Sequence, residues 1–202
     1  MTRAKIFVDF WNFQLHWNNL VGKTPKGDPI KIPWDKGFIA AVIALLKSKR
    51  ADDVSYSGTH VYASVDPGGD APLRKFLHVM DGFPGYAVSV KERKPTEKPI
   101  RCNRCKKEFE LCPSCNEKLR RTVEKGVDVA IVTEMIQMAS DNIYDVGVLC
   151  SNDADLCQAI IFIQRRFGKQ IYHLHQGGVG MSVRNACWDH LKMDDLLKAL
   201  AG

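Results

Sequence analysis

No apolar run in this chain comes near the roughly 20 residues that a membrane-spanning helix needs, so no such span is expected. The opening Met1-Thr2-Arg3-Ala4-Lys5 leads straight into Ile6-Phe7-Val8, too short for the hydrophobic region of a secretory signal. No internal repeat is found. Acidic residues are outnumbered: 23 Asp and Glu face 29 Lys and Arg, a formal charge of +6. The seven cysteines are an odd number, and four of them fall into a paired motif that suits a metal better than disulfides. The chain therefore reads as a soluble, cytoplasmic protein.

What is present suffices for a core. Hydrophobic residues make up 45% of the 202, enough for one domain with an insertion or for two small domains. The positive charge is concentrated. Between Lys91 and Lys125 there are twelve Lys/Arg and six Glu, an excess equal to that of the whole chain. A polyanion such as nucleic acid would be drawn to this segment, although a basic run is often only a solvated insertion.

The central stretch is Tyr144–Ile160, YDVGVLCSNDADLCQAI. Val146, Val148 and Leu149 form a short strand, Ser151-Asn152-Asp153 a polar turn, and Leu156, Ala159, Ile160 and Ile163 recur at helical spacing. Asp153 is placed to cap that helix and Asp155 lies in its first turn. Elsewhere Lys5–Asp9 reads as a buried strand ending on a carboxylate, and residues 18–33 as a long loop beside it. A helix is expected over 34–49, a strand over Val54–Val65, a helix from Ala71 to Met80 with Pro72 in its first turn, and a strand at Tyr86–Val90. From Gly126 a helix runs to about Ser140 with Asp128 at its start. A fifth strand at 168–175 and a closing helix at 194–201 complete an alternation that implies a parallel sheet. His173 and His175 alternate on that fifth strand and read as packing residues. His16 and Trp17, near Asp9, are candidates for stacking on a base. Cys150, Cys157 and Cys187 read as small core residues.

The pattern breaks over residues 94–118. There Cys102-Asn-Arg-Cys105 and Cys112-Pro-Ser-Cys115, six residues apart, form two CxxC knuckles whose four thiolates suit one tetrahedral Zn²⁺. An iron–sulfur cluster or two disulfides are the competing readings. A four-thiolate zinc site has no open position, so its role is structural. The segment is read as an insertion that metal must fold, flanked by basic residues suited to nucleic acid.

Three separated segments end in carboxylates: Asp9, Asp128, and Asp153 with Asp155. If the first and fourth strands are neighbours, their carboxyl ends open onto one crevice, as in doubly wound sheets. Clustered carboxylates repel unless protonated or bridged, and such oxygen donors suit Mg²⁺ or Mn²⁺. Val8-Asp9-Phe10-Trp11-Asn12, Lys125-Gly126-Val127-Asp128-Val129 and Cys150-Ser151-Asn152-Asp153-Ala154-Asp155-Leu156 resemble the motifs of the NYN domains of the PIN-like nuclease superfamily, in the LabA-like branch. The resemblance implies an α/β PIN-like three-layer sandwich spanning 1–202, with a mostly parallel sheet of order 3-2-1-4-5. It implies metal-dependent ribonuclease chemistry with Asp9, Asp128 and Asp153 binding the ion, supported by Asp155 and Asn12. Asn152 stands where the family has Gly and Leu156 where it has Phe; Asn tolerates left-handed backbone angles, so the turn can survive. Glu134 stands near a common Asp position. Two other functions remain open: a nucleic-acid-binding module with an idle acidic edge, and a metal-dependent phosphatase.

Overall fold

Strands and helices alternate along the chain in the computed structural model, which describes residues 1–22, 32–96, 99–101, 104–119 and 121–201. The first half comprises β1 (Thr2–Asp9), α1 (Phe10–Val21), α2 (Lys36–Ser48), β2 (Val54–Val65), α3 (Ala71–Asp81) and β3 (Tyr86–Glu92). Four short strands follow, β4 (Lys94–Thr96), β5 (Ile100–Arg101), β6 (Glu108–Phe109) and β7 (Arg121–Val123). The second half comprises α4 (Val127–Ser140), β8 (Val146–Cys150), a 3-10 turn at Ala154–Leu156, α5 (Cys157–Phe167), β9 (Gln170–His175), α6 (Met181–Ala186), β10 (Asp189–Lys192) and α7 (Met193–Ala201).

The main sheet runs β10-β9-β8-β1-β2-β3, with each neighbouring pair parallel. Counted along the chain, its strands lie in the order 3-2-1-4-5-6. The expected 3-2-1-4-5 arrangement is present, and β10 adds a sixth strand at the outer edge. Parallel strands need helical crossovers, and these cover both faces. Ile6 and Val8 of β1 face a core that includes Phe13 and Trp17 of α1, Phe38 and Leu46 of α2, Leu77 of α3 and Leu196 of α7. Phe7, between them on the strand, faces Ile131 and Met135 of α4, Ile160 of α5 and Val183 of α6. The result is a three-layer sandwich. Among the described residues no helix is long and apolar enough to cross a membrane.

Three segments differ from the sequence reading. Phe10–Val21 is a helix, so residues 18–21 of the expected loop are helical; 23–31 lie outside the described residues. Phe, Trp and Asn have weak intrinsic helix propensity, and this helix forms because Phe10, Phe13 and Trp17 are buried on one face while Asp9 caps its first turn. α6 and β10 have only six and four residues, too short for a periodic signal. The segment expected to contain neither strand nor helix holds two antiparallel ribbons, β4 with β7 and β5 with β6.

Candidate active site

The register of the central strands brings the acidic segments together. Val8 of β1 is paired with Cys150 of β8, so Asp9 and Ser151 leave the sheet side by side. Ser151 Oγ donates to Asp9 Oδ2 at 3.0 Å and accepts from the Asp153 backbone N–H at 3.2 Å. The Asn152 backbone N–H donates to Asn12 Oδ1 at 2.9 Å. The first turn of α1 and the loop after β8 are thus tied by two side-chain bridges. Asp9 Oδ1 accepts from the Asn12 N–H at 3.3 Å and Asp153 Oδ1 from the Asp155 N–H at 2.9 Å, so both aspartates also cap the turns that follow them. Asp128 lies in the first turn of α4.

These carboxylates feel one another. Burial pushes Asp9 up to about 6; the Asn12 N–H and the Ser151 hydroxyl oppose that rise, and Glu124 and Asp128 add to it. Asp128 is also raised, by burial first and then by Asp153, Glu124 and Asp155. Five carboxylates therefore share one electrostatic site. Glu124 is the member that sequence reasoning misses, because it sits among lysines and arginines at the end of the insertion. Its proximity to the Asp128 helix start, four residues on, is the signal that could have found it.

Glu134, by contrast, is engaged from β2: it meets His60 Nδ1 at 3.0 Å and accepts from Tyr62 Oη at 2.9 Å. Burial lowers His60 and Glu134 opposes that fall. Lys5, 6% exposed, lies near the same group, and burial lowers it too. Asn152 is not among the described non-glycine residues with positive φ, so its turn needs no left-handed backbone. Its Oδ1 would stand 2.3 Å from a Cβ placed on Gly180, so the turn before α6 closes tightly over it.

The rim is aromatic and cationic. Trp11 Nε1 donates to the Ser64 carbonyl at 2.6 Å, and the Arg93 guanidinium lies over the Trp11 ring, 5.0 Å from its centroid. Trp17 is 1% exposed and packs with Phe13, so it cannot stack on a base; Trp11 is the aromatic beside the site. His173 and His175 are both buried, with ring centroids 5.4 Å apart. Burial pushes His173 down to about 3, so it is neutral at physiological pH.

The basic segment leaves the sheet at the end of β3 and returns at Glu124 into α4, so it stands at the same edge as the aspartates. Thr122 Oγ1 donates to Asp66 Oδ2 at 3.2 Å, anchoring the base of the ribbon to the end of β2. Cys105, Cys112 and Cys115 are free thiols; Cys102 lies outside the described residues. Lys106 and Asn116, each directly after the second cysteine of a pair, share left-handed φ of 61° and 60°, so the two knuckles turn alike. The backbone N–H groups of Cys115 and Ser114 hold the Cys112 thiol below its ordinary value.

All five acidic side chains at the sheet edge offer hard oxygen donors, and their mutual repulsion is the condition that a divalent cation relieves. Among the described residues, no three His, Cys, Asp or Glu side chains stand close enough together to hold an ion as they are oriented.

No curated protein matches the chain. Among solved structures, a protein of unknown function from Vibrio parahaemolyticus RIMD 2210633 aligns with a TM-score of 0.57 over 96% of this chain and 94% of that one. At 18% identity this shows a shared fold alone. The NYN domain family model matches residues 59–194, a span that includes Asp128, Asp153 and Asp155 and begins after Asp9. With more than half of its length matched, and with the sheet order and acidic edge described above, the chain belongs to the NYN domain family of the PIN-like nuclease superfamily.

Proposed function

We propose that this protein is a ribonuclease that hydrolyses phosphodiester bonds with Mg²⁺ or Mn²⁺ held by Asp9, Asp128 and Asp153. The observation that carries the reading is the coupling of carboxylates from three distant segments at the carboxyl edge of the sheet, where Asp9 is raised to about 6. Asp155 and Glu124 extend the negative field. Asn12 and Ser151 position the loop that carries Asp153. A divalent cation at such a site lowers the pKa of an attacking water and offsets charge on the scissile phosphate. Asp9 takes up a proton near pH 6, so the chain itself sets the pH above which a cation competes well for the carboxylates.

The inserted segment, residues 94–118, is assigned as a zinc-folded ribbon held by Cys102, Cys105, Cys112 and Cys115. The matched turns at Lys106 and Asn116 support this. Its basic residues stand at the acidic edge and supply electrostatic attraction for RNA, and the free thiols of Cys105, Cys112 and Cys115 suit a reducing compartment such as the cytoplasm. The test is cleavage of single-stranded and structured RNA by the purified protein with Mn²⁺, and with EDTA. Cleavage that needs the cation and disappears in Asp153→Asn is expected. Cleavage in EDTA, or salt-sensitive binding without turnover on varied RNAs, overturns the reading; the latter outcome would make the protein a binding module.

A further inference from the structure

Arg93, the residue after β3, lies beside the acidic edge and plays no part in the reading above. Its guanidinium is held on three sides. Nε donates to Ser64 Oγ at 2.9 Å, Nη2 lies 3.9 Å from Glu124 Oε2, and the plane covers the Trp11 ring. Its backbone N–H donates to the Val65 carbonyl at 2.9 Å, so its main chain is fixed as well. Ser64, 1% exposed, links the group together: its hydroxyl accepts from Arg93 and donates to Glu124.

Charge neutralisation of Glu124 does not account for this arrangement. An ion pair at 3.9 Å between side chains that are 27% and 37% exposed contributes little. Stacking on Trp11 and the bond to Ser64 do something else: they immobilise a long side chain and, among the described residues, leave most of its donors without a hydrogen-bond partner. Of the five guanidinium N–H groups, only Nε–H makes a hydrogen bond among the described residues. A planar fork with open donors, fixed in advance, matches the oxygens of a phosphate. Its location defines which phosphate. Arg93 follows β3 at the carboxyl edge of the sheet, and Glu124, 3.9 Å from its Nη2, stands four residues before Asp128, so the guanidinium borders the carboxylate cluster.

We infer that Arg93, oriented by Trp11 and Ser64, anchors a backbone phosphate of the substrate next to the scissile one. The five carboxylates repel a polyanion, and a cation fixed at their border supplies the attraction that sets the strand in register. The inference rests on the nuclease reading, and its test is arranged to separate the two. Binding of a single-stranded RNA oligonucleotide is measured by fluorescence anisotropy in EDTA across a salt series, for the parent protein and for Arg93→Gln and Arg93→Lys; KM and kcat are measured with Mn²⁺. Arg93→Gln is expected to weaken binding about 10-fold and to make the dependence of log Kd on log salt shallower by about 0.7, the loss of one phosphate contact on a single strand. KM should rise about as much, with kcat within about threefold of the parent. Arg93→Lys keeps the charge and loses the fork, so about threefold weaker binding at the parent salt slope is expected. Unchanged affinity and slope in a folded Arg93→Gln overturns the anchor. If that variant fails to fold, unchanged affinity in Arg93→Lys does the same. Loss of binding without cleavage by any variant or by the parent supports the anchor and sinks the nuclease; cleavage that Arg93→Gln leaves untouched does the reverse.

Discussion

Asp9 carries three demands at once: it caps α1, it accepts from Ser151, and it is buried beside other carboxylates. The first two favour its ionised form and the third opposes it more strongly. Well below pH 3.8 the group is protonated in both folded and unfolded chains. Between its ordinary value of 3.8 and about 6 the unfolded chain ionises first, so the folded state loses ground as pH rises; above about 6 the penalty is constant. Asp9→Asn keeps the capping oxygen and removes the charge. In metal-free buffer it should be no more stable than the parent at about pH 3 and more stable at pH 7, by up to about 3 kcal/mol. Urea unfolding in EDTA at several pH values checks this, and a stability difference that does not vary with pH would refute it. Saturating Mn²⁺ should reverse the order at pH 7, since ligand at about 1,000 times its Kd adds about 4.1 kcal/mol to the protein that binds it. Asp153→Asn likewise retains an N-cap oxygen, so turnover should vanish while Tm stays within a few degrees of the parent and RNA binding persists. Glu134→Gln belongs to a different class. Its partners are His60 and Tyr62, so it should lower Tm yet leave the Mn²⁺ concentration needed for half-maximal activity unchanged.

α1 shows how burial decides a helix that local propensity does not. Its aromatic residues at positions 10, 13 and 17 have helical spacing, but the polar and aromatic run around them resembles a loop when read without its partners. The partners are Trp34 and Phe38, whose rings lie 5.8 Å and 5.7 Å from that of Phe13. Trp17→Ala should cost about 3–5 kcal/mol, and activity should fall further than stability predicts because Asn12 and Asp9 belong to the same unit. Comparison of kcat well below Tm with the unfolding curve makes the distinction. The alternation over Val54–Val65 predicts β2 with its bounds, and the helical spacing after Asp153 predicts α5, entered through a 3-10 turn, since both are strongly patterned. The Cys-rich segment carries no such pattern, because its folding free energy is assigned to metal. Cys102→Ser with Cys105→Ser should therefore release one zinc per chain and abolish protease protection over about 94–118, with the α/β core intact by circular dichroism. Collapse of the core would place the segment inside the fold. Glu124 and Arg93 escaped the sequence reading for a related reason: each lies in the basic, unpatterned stretch, and only the return of that stretch to the sheet edge gives them a site.

The charge of the whole molecule is uneven, with an acidic centre bordered by a basic insertion at the same sheet edge. Binding of RNA should therefore weaken steeply with salt, since several phosphates exchange counterions for Lys and Arg. The parallel sheet has a further consequence, in the order of synthesis. β1 emerges first yet occupies the middle of the sheet, and its second neighbour, β8, begins only at Val146. Ser151, which steadies Asp9, and Asn152, which grips Asn12, come later still. A nascent chain that has assembled β1, β2 and β3 therefore holds Asp9 with none of its later partners. The acidic edge is completed only after Asp155 has left the ribosome, so a shorter nascent chain carries Asp9 without the carboxylates and loop that surround it in the folded protein.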